Sequence, residues 1–338
     1  MNDINEIKKN IEFYQTRILT IGVPSIEQAQ KGEDVVNLQF SRGWTPPIIN
    51  DVPLFSSIQI QTIEYCNLRC DFCPNHYMIW DRKDDKKKGI PFNTMSLEDY
   101  EKICINLKKL GFWGRVSPYL MNEPLMDKDR MPKFIEITKK HLPDCNVKIN
   151  TNGSGLTAQL MGDMIDAGLD SIQIDDYFSD DYAQKLINEL KPFHGENGKC
   201  YIILSSNYNT KQVKKRQDSI EGDRPVHYGP AGYWNRAGLV NVNPDMPVPQ
   251  KNCGYPSTQM YVKWDGSSLL CCCDWEYKVV HGNVLKTSIE EVWTNDSYQH
   301  YRKTLKKGRR DLLKMCRKCN KGAYPNEEER LKNFKMEQ

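Results

Sequence analysis

Apolar residues follow two alternating patterns along the middle of the chain. Short stretches in which every second residue is apolar predict β-strands, whereas longer stretches with apolar residues three or four positions apart predict amphipathic helices. Strands are predicted at 57–63, 116–121, 147–150, 171–174 and 201–204, and helices between them at 131–140, 156–167, 180–190 and from residue 96 onward. Strands that alternate with helices of this length form parallel sheets with crossover helices, so the predicted fold class is α/β.

Three cysteines directly follow the first predicted strand. They are Cys66, Cys70 and Cys73, separated by three residues and then by two. In parallel sheets the chemistry lies at the carboxyl ends of the strands, which is where these cysteines are placed. Iron–sulfur clusters are normally held by four thiolates. Three thiolates would leave one iron of a [4Fe–4S] cluster open for a further ligand; zinc sites use similar cysteine pairs and are the alternative.

This spacing, with Phe72 just before the last cysteine, resembles the radical S-adenosylmethionine (SAM) superfamily. The resemblance implies a partial (β/α)6 barrel and a [4Fe–4S] cluster at Cys66, Cys70 and Cys73, whose open iron chelates the amino and carboxylate groups of SAM. It also implies an activity, the reductive cleavage of SAM to a 5′-deoxyadenosyl radical that abstracts hydrogen from a C–H bond.

Polar residues at later strand ends add to the resemblance. Glu123 and Pro124 stand where the family has a Gly-Gly-Glu-Pro segment that receives the amino group of SAM. The chain departs from this pattern at Met121 and Asn122, which replace two glycines, and glycine is the residue that permits close backbone approach. The residues that the resemblance implies as cofactor contacts are Phe72, Asn122, Glu123, Asn150, Asn152 and Ser205.

A second set of cysteines lies in the C-terminal third. A β-hairpin is predicted near 262–267, with Gly266 in its turn, and a helix at 288–303. Four thiolates brought together across these elements form a closed site, as a structural or electron-transfer cluster requires. The four candidates are Cys253, Cys271, Cys316 and Cys319.

The spacing of this second set resembles the SPASM and twitch extensions of radical SAM enzymes, which hold auxiliary [4Fe–4S] clusters. A full SPASM domain has further cysteines after its CxxC pair, and here none follows Cys319. The resemblance is therefore to the shorter twitch type with one auxiliary cluster, as in the radical SAM dehydrogenases of aminocyclitol biosynthesis. Zinc is again the alternative. Cys272 or Cys273 could replace Cys271, which alone satisfies the Gly-x4-Cys spacing.

Arg236 is the first candidate for substrate contact. A segment similar to its Asn-Arg-Ala-Gly surroundings closes the barrel in enzymes with these extensions, and in the aminocyclitol dehydrogenase an arginine at this place faces the substrate. The pKa of arginine lies above about 12, so orientation or charge stabilisation fits Arg236 better than proton abstraction. An ion pair between domains is the alternative. Cys272 and Cys273 complete the predicted catalytic set, because some epimerases of similar build quench a substrate radical with a cysteine hydrogen.

Composition narrows the class of protein further. The chain carries 47 Lys and Arg against 44 Asp and Glu, a net charge of +3 that argues against nucleic acid as a partner, and the basic stretch at 306–310 fits a solvated helix end better than a phosphate contact. No stretch approaches the about 20 apolar residues of a membrane span. Twelve cysteines without an export signal indicate metal binding rather than disulfides and predict a cytoplasmic protein.

These features divide the chain into an N-terminal extension at 1–50, a radical SAM partial barrel at 51–240 and a small C-terminal α+β domain of twitch/SPASM type at 241–338. The leading prediction is two-electron oxidation of a secondary alcohol on a sugar or cyclitol. Epimerisation of a carbohydrate or peptide, cross-linking of a ribosomally made peptide, and a non-catalytic iron–sulfur or zinc scaffold are the alternatives. The predicted partners are a small-molecule or peptide substrate and an electron donor such as flavodoxin or ferredoxin.

Overall fold

The structure is a computed structural model, and it describes residues 46–68, 70, 72–75, 92–176, 180–190, 193, 200–206, 235–241 and 247–321. Of the predicted N-terminal extension it describes residues 46–50, where Ile48–Ile49 (β1) pairs antiparallel with Val52–Pro53 (β2). The rest of that prediction lies outside the described residues.

One eight-stranded sheet organises the part of the chain that is described. From one edge to the other its strands are Val280–Asn283 (β10), Ser267–Leu269 (β9), Gln259–Val262 (β8), Ser57–Ile60 (β3), Arg115–Ser117 (β4), Asn146–Thr151 (β5), Ser171–Asp176 (β6) and Tyr201–Ser206 (β7). All neighbours from β8 to β7 are parallel, whereas β8, β9 and β10 are joined antiparallel. The predicted α/β class is confirmed. Five parallel strands, β3 to β7, follow one another in chain order as in a (β/α) barrel, and β8 adds a sixth parallel strand beside β3.

The sixth parallel strand comes from the region predicted to form the C-terminal domain. β8 pairs with β3 over its whole length, with Ser57 opposite Gln259 and Ile60 opposite Val262. The two regions that carry the cysteine sets therefore share one sheet. The domain boundaries at 51–240 and 241–338 remain predictions.

Four crossover helices connect the parallel strands from β3 to β7. They are Leu97–Lys109 (α1), Met131–His141 (α2), Ala158–Asp166 (α3) and Asp180–Leu190 (α4). α1 begins where the Ser96 side chain accepts a hydrogen bond from the Asp99 N–H at 3.0 Å, so the predicted N-cap is confirmed. No helix among the described residues is long and apolar enough to cross a bilayer.

The two faces of the parallel strands differ in polarity. Ile58, Val116 and Ile149 are fully buried in one apolar core with the crossover helices. Since successive strand side chains alternate between faces, Lys148 and Gln173 lie on the opposite face. Lys148 Nζ donates a hydrogen bond to Gln173 Oε1 at 3.3 Å, which makes this face a polar wall.

Two predicted strands are longer than the strands observed. The strand predicted at 57–63 ends at Ile60, and Ile63 forms an isolated bridge with Thr94. The strand predicted at 116–121 is reduced to Arg115–Ser117, because the next residue is a proline, which has no N–H to continue the ladder. The segments after β3 and β4 therefore leave the sheet earlier than predicted and form longer loops at its carboxyl edge.

The prediction of a single helix at 288–303 is wrong, whereas the predicted hairpin is present as β8 and β9. The chain forms the helices Ile289–Thr294 (α6) and Asp296–Lys306 (α7), after the short helix Tyr255–Thr258 (α5). Asn295 separates α6 from α7, because its side chain accepts a hydrogen bond from the Tyr298 N–H at 2.9 Å and caps a new helix.

His281 on β10 makes the stability of the protein depend on pH. Its ring stacks on Tyr298 with 3.9 Å between centroids, its Nδ1 lies 2.9 Å from the Ser297 hydroxyl, and 5% of its surface is exposed. Burial, together with the Arg302 guanidinium, lowers the pKa of His281 to about 4 from the 6.5 of a free imidazole. Between these two pH values the unfolded chain binds a proton at His281 and the folded chain does not. The contribution of neutral His281 to stability is therefore fully present above pH 6.5 and is lost as the pH falls towards 4.

We expect the wild-type protein to lose about 2–3 kcal/mol more free energy of unfolding than His281→Phe between neutral pH and pH about 4. Phenylalanine keeps a ring that can stack on Tyr298 but has no proton to bind. Denaturant unfolding of both anaerobic proteins at the two pH values measures the difference. Equal losses in the two proteins would contradict the assignment.

Candidate active site

The cysteine loop follows β3 and precedes α1. Cys66, Cys70 and Cys73 are each partly buried in it. Cys66 Sγ accepts a hydrogen bond from the Leu68 N–H at 3.5 Å, and the Cys73 N–H donates to the Cys70 carbonyl at 3.1 Å. Phe72 is buried against Val240 and against the Cys70 and Cys73 side chains. Phe72 thus supports the loop, and its contact with SAM remains a prediction.

Glu123 joins this loop to the ends of the next two strands. Its N–H donates to the Tyr65 carbonyl at 3.0 Å. Its buried carboxylate accepts hydrogen bonds from the Leu125 N–H at 3.0 Å, the Asn152 N–H at 2.8 Å and the Thr151 hydroxyl. A carboxylate has about four lone-pair sites, so one remains for a ligand donor. Burial raises the pKa of Glu123 to about 7, and a bound ammonium group would lower it again.

Asn152 extends the same network back to the cysteine loop. Its Nδ2 donates to Asn67 Oδ1 at 2.9 Å, and Asn67 lies between the first two cysteines. The roles of Asn67 and Thr151 in this network were not predicted, because a polar residue in a loop or at a strand end has no local signal of its partner. The network fixes the cysteine loop relative to the ends of β4 and β5.

Two of the other predicted cofactor contacts have a buried polar atom without a partner. Asn122 Nδ2 and Asn150 Oδ1 are buried and have no hydrogen-bond partner among the described residues. A buried polar atom that stays unpaired costs about 1–3 kcal/mol, so both atoms fit a site for a polar ligand such as SAM. Ser205 lies on β7 opposite Asp175, at the same carboxyl edge of the sheet.

Burial disfavours the thiolate form of the loop cysteines unless a metal is bound. Burial, followed by the Glu123 carboxylate, raises the pKa of the Cys66 thiol. Burial also raises the pKa of Cys73, and the Arg236 guanidinium offsets part of that rise. A buried thiol of this kind releases its proton when a metal binds. Arg236 therefore lies within electrostatic reach of the first cysteine site.

A cavity, called the auxiliary cavity below, lies near α5 and residues 310–321. The cations Arg310 and Lys321 line it together with apolar side chains. Arg310 donates hydrogen bonds to the Cys319 and Lys321 carbonyls at 3.0 and 2.8 Å. Five cysteines also line it, and these include all four predicted auxiliary ligands: Cys253, Cys271, Cys273, Cys316 and Cys319.

The donor set of the auxiliary cavity fits an iron–sulfur cluster. Burial raises the pKa of Cys316 to about 12 and of Cys319 to about 11, so both thiols need a metal to lose their protons. Thiolates are the ligands that iron–sulfur clusters use, and the two cations oppose their charge. None of the twelve cysteines, all of which are described, forms a disulfide. Within the described ranges no three His, Cys, Asp or Glu side chains converge on a single metal ion.

The consecutive cysteines at 271–273 differ in their relation to the auxiliary cavity. Cys271 and Cys273 line the auxiliary cavity, and the Cys273 N–H donates to Cys271 Sγ at 3.4 Å, as Leu68 does to Cys66. Cys272 does not belong to the lining of that cavity. The Cys273 thiol and burial raise the pKa of Cys272, and the Arg236 guanidinium and the Lys321 ammonium oppose them. Cys272 is therefore close to Arg236 and also to Lys321, which lines the cavity.

Arg236 lies close to both cysteine sites in a strained turn. Arg236, Ala237 and Gly238 have φ angles of 48°, 61° and 86°. Residues with a side chain rarely adopt this region, at a cost of order 1–3 kcal/mol each, and such strain clusters at functional sites. The guanidinium acts on the Cys73 thiol of the first site and on the Lys321 ammonium, which lines the auxiliary cavity. Arg236 is therefore close to both sites, and its contact with a substrate remains a prediction.

Two family models match the chain, one over each cysteine site. The Radical SAM superfamily model matches residues 60–193, and the SPASM model, an iron–sulfur cluster-binding domain, matches residues 253–320. Residues 60–193 therefore form a radical SAM domain, and residues 253–320 form an iron–sulfur cluster-binding domain of SPASM type. Iron–sulfur clusters and SAM, rather than zinc, are therefore its cofactors.

Similar proteins match this radical SAM enzyme over nearly their whole length. A SAM-dependent 2-deoxy-scyllo-inosamine dehydrogenase of Niallia circulans is 26% identical over 276 residues, which make up 82% of this chain and 97% of that protein. The crystal structure of BtrN in complex with AdoMet and 2-DOIA has a TM-score of 0.61 at 23% identity and covers 82% of this chain and 97% of its own. BtrN in an open conformation has a TM-score of 0.54 at 22% identity, over 79% of this chain and 92% of its own. These two structures support the fold.

A reciprocal pair of asparagines holds the strained turn of this radical SAM enzyme against the auxiliary CxxC segment. The Asn235 N–H donates to Asn320 Oδ1 at 2.7 Å, and the Asn320 N–H donates to Asn235 Oδ1 at 3.2 Å. Asn235 Nδ2 also donates to the Lys318 carbonyl at 2.7 Å. These bonds connect the backbone that aims Arg236 to the segment that carries Cys316 and Cys319. The pair could not be predicted from local sequence, because its members are 85 residues apart.

We expect Asn320→Ala to release the turn. The half-buried Asn235 N–H then loses its acceptor, at a cost of about 1–3 kcal/mol, so amide hydrogen exchange at 235–240 should be at least about 10-fold faster. Asn320→Asp keeps the acceptor oxygen and should stay close to the wild type. Exchange followed by mass spectrometry on the cluster-loaded protein measures both variants. Unchanged exchange in the alanine variant would show that the pair does not hold the turn.

Proposed function

We propose that this radical SAM enzyme oxidises a secondary alcohol of a sugar- or cyclitol-like small molecule to a ketone. The observation that carries the proposal is the position of the Arg236 turn close to both cysteine sites: the adjacent Asn235 is hydrogen-bonded to Lys318 and Asn320 on either side of Cys319, and the Arg236 guanidinium acts on Cys73. A substrate bound at Arg236 is close to the SAM-cleaving site and to a second cluster site. Dehydrogenation needs both, because the substrate first loses a hydrogen atom and the resulting radical then loses an electron and a proton. The similarity to a dehydrogenase of an aminocyclitol supports the same substrate class.

The cofactors carry the hard chemistry of this reaction, and the protein positions the reactants and excludes water. When bound, the cluster at Cys66, Cys70 and Cys73 and its SAM supply a 5′-deoxyadenosyl radical for hydrogen abstraction, and the auxiliary cluster supplies an electron acceptor. Arg236 stays charged at any working pH. It orients the hydroxyl oxygen of the substrate and stabilises the negative charge that develops there as the proton leaves.

The polar face of the sheet is suited to the remaining groups of such a substrate. Lys148 Nζ donates to Gln173 Oε1, and Gln173 Nε2 donates to Asp175 Oδ1 at 3.1 Å. This row offers donors and acceptors to hydroxyl groups, and Asp175 at its end is suited to an ammonium group. In the same proposal SAM is contacted by Phe72, Asn122, Glu123, Asn150, Asn152 and Ser205.

Epimerisation is the second candidate, and the position of Cys272 favours it. Cys272 is close to Arg236 and outside the lining of the auxiliary cavity, so its thiol could return a hydrogen atom to a substrate radical. Cys273 lines the auxiliary cavity and is the weaker candidate for this role.

The first experiment identifies the substrate class. Anaerobic, cluster-reconstituted protein receives SAM and dithionite, and 5′-deoxyadenosine is measured after adding 2-deoxy-scyllo-inosamine, a small-molecule extract or a macromolecular extract. Stimulation by small molecules supports the proposal. Stimulation by macromolecules alone would contradict it and favour a peptide substrate. The proposed reaction takes place in the cytoplasm with flavodoxin or ferredoxin as electron donor.

The Cys272→Ala variant separates oxidation from epimerisation. If the enzyme is a dehydrogenase, we expect the variant to form ketone with its ratio to 5′-deoxyadenosine roughly unchanged, because no hydrogen returns to the substrate. An epimerase would lose its product in the variant while SAM cleavage continues. In D2O the wild-type epimerase product would also carry deuterium at carbon.

A further inference from the structure

We propose that the exposed side of residues 303–318, called the basic face below, docks an acidic one-electron carrier protein beside the auxiliary cavity. The inference rests on the proposed dehydrogenase function. In that reaction one electron enters for each SAM cleaved. One electron leaves when the substrate radical gives its hydroxyl proton to solvent and becomes a ketone. A carrier that supplies the first electron and recovers the second closes the balance, with SAM as the net oxidant.

Positive charge is concentrated on this face. The acidic side chain exposed in this segment is Asp311, which pairs with Arg309 at 2.6 Å. The net charge of the entire chain is only +3. Seven cations of the basic face are exposed: Lys303, Lys306, Lys307, Arg309, Lys314, Arg317 and Lys318.

An apolar contact lies within the same charged surroundings. Leu312 is 64% exposed, in a chain where few large apolar side chains are so exposed among the described residues. Transient protein partners are recognised by an apolar contact within a rim of complementary charge, and the charge mainly sets the rate and specificity of encounter. The basic face has this composition, and its partner must be acidic.

The inner side of the same segment faces the auxiliary cavity. Met315, Cys316 and Cys319 line that cavity. A groove of about 140 Å³ lies next to it, lined by residues that include Lys314, Arg317 and Cys273. Cys273 and Met315 line both the groove and the auxiliary cavity, so these two side chains lie between a docked partner and the cluster site. This proximity favours a redox carrier over nucleic acid or an anionic membrane, because only a redox carrier needs to be close to a cluster site.

Binding of oxidised flavodoxin, an acidic FMN protein, to the cluster-loaded enzyme tests the proposal by calorimetry. We expect binding that weakens with salt and is at least ~10-fold weaker for Lys314→Glu/Arg317→Glu. The control is Lys108→Glu/Lys109→Glu on α1, two exposed residues whose reversal changes the net charge equally and should leave binding unchanged. Cytochrome c, a basic one-electron carrier, should not bind. If the double variant loses iron, Lys314→Glu alone replaces it.

Equal binding by the two double variants would overturn the proposal, as would flavodoxin binding that is insensitive to salt. Selective binding of heparin or of vesicles with anionic lipid, without flavodoxin binding, would also overturn it in favour of a polyanion site. Ketone formation driven by dithionite does not require docking. Its absence would therefore count against the dehydrogenase function, whereas ketone formation without flavodoxin binding would count against the docking face alone.

Discussion

Replacing Cys66, Cys70 or Cys73 by alanine is expected to reduce SAM cleavage more than ~1,000-fold, which corresponds to ~4 kcal/mol of lost barrier lowering. Each variant removes one of the three thiolates that follow β3, and two thiolates cannot hold the cluster that gives its electron to SAM. Iron content should fall to about four atoms per chain, because the auxiliary cavity is built from other residues. Release of 5′-deoxyadenosine and iron analysis of anaerobic protein measure the two effects.

Cys104→Ala is the matched control for these variants. Cys104 is fully buried in α1 and packs in the apolar core, away from both cysteine sites. Its loss should lower stability slightly and leave both iron content and SAM cleavage near wild type. Full SAM cleavage by a Cys70→Ala variant would contradict the assignment of the first site.

Replacing Cys316 or Cys319 by alanine is expected to separate SAM cleavage from product formation. Both residues line the auxiliary cavity, and the SAM-binding loop is built from other residues. We expect 5′-deoxyadenosine release to persist within ~10-fold and ketone formation to fall more than ~100-fold, a loss of about 2.7 kcal/mol at the step that removes the second electron. The ratio of ketone to 5′-deoxyadenosine in single-turnover reactions is the measurement.

A parallel fall of both products in this experiment would show a structural role for the auxiliary site, and an unchanged ratio would remove its role in electron acceptance. Cys271→Ser is the second variant, since serine is close in size to cysteine. Because Cys273 also lines the cavity, a weak effect at Cys271 with a strong effect at Cys273 would identify Cys273 as the fourth ligand.

The first cysteine site could be predicted because its signal is local. The three predicted ligands lie within eight residues, after a strand whose period-two pattern is clear, and the carboxyl edge of a parallel sheet is where such sites lie. The crossover helices were predictable for a similar reason, since each buries one apolar stripe and α1 carries its own N-cap at Ser96. The break between α6 and α7 was not predicted, although Asn295 followed by Asp296 is an N-cap signal.

The long-range features could not be read in this way. β8 pairs with β3 across about 200 residues, and neither strand contains information about its neighbour. The different relations of Cys271, Cys272 and Cys273 to the auxiliary cavity depend on how the chain after β9 turns. Glu123 was predicted as a ligand contact, whereas three of its hydrogen bonds come from the protein itself. Partner choice of this kind depends on tertiary packing that periodicity and spacing do not specify.

The central claim is that the enzyme removes a hydrogen atom and then an electron from an alcohol carbon. It is tested most directly with the small molecule that stimulates SAM cleavage, deuterated at that carbon. We expect one deuterium in 5′-deoxyadenosine for each ketone formed. A product of inverted configuration that carries solvent hydrogen, or 5′-deoxyadenosine without deuterium, would contradict the account.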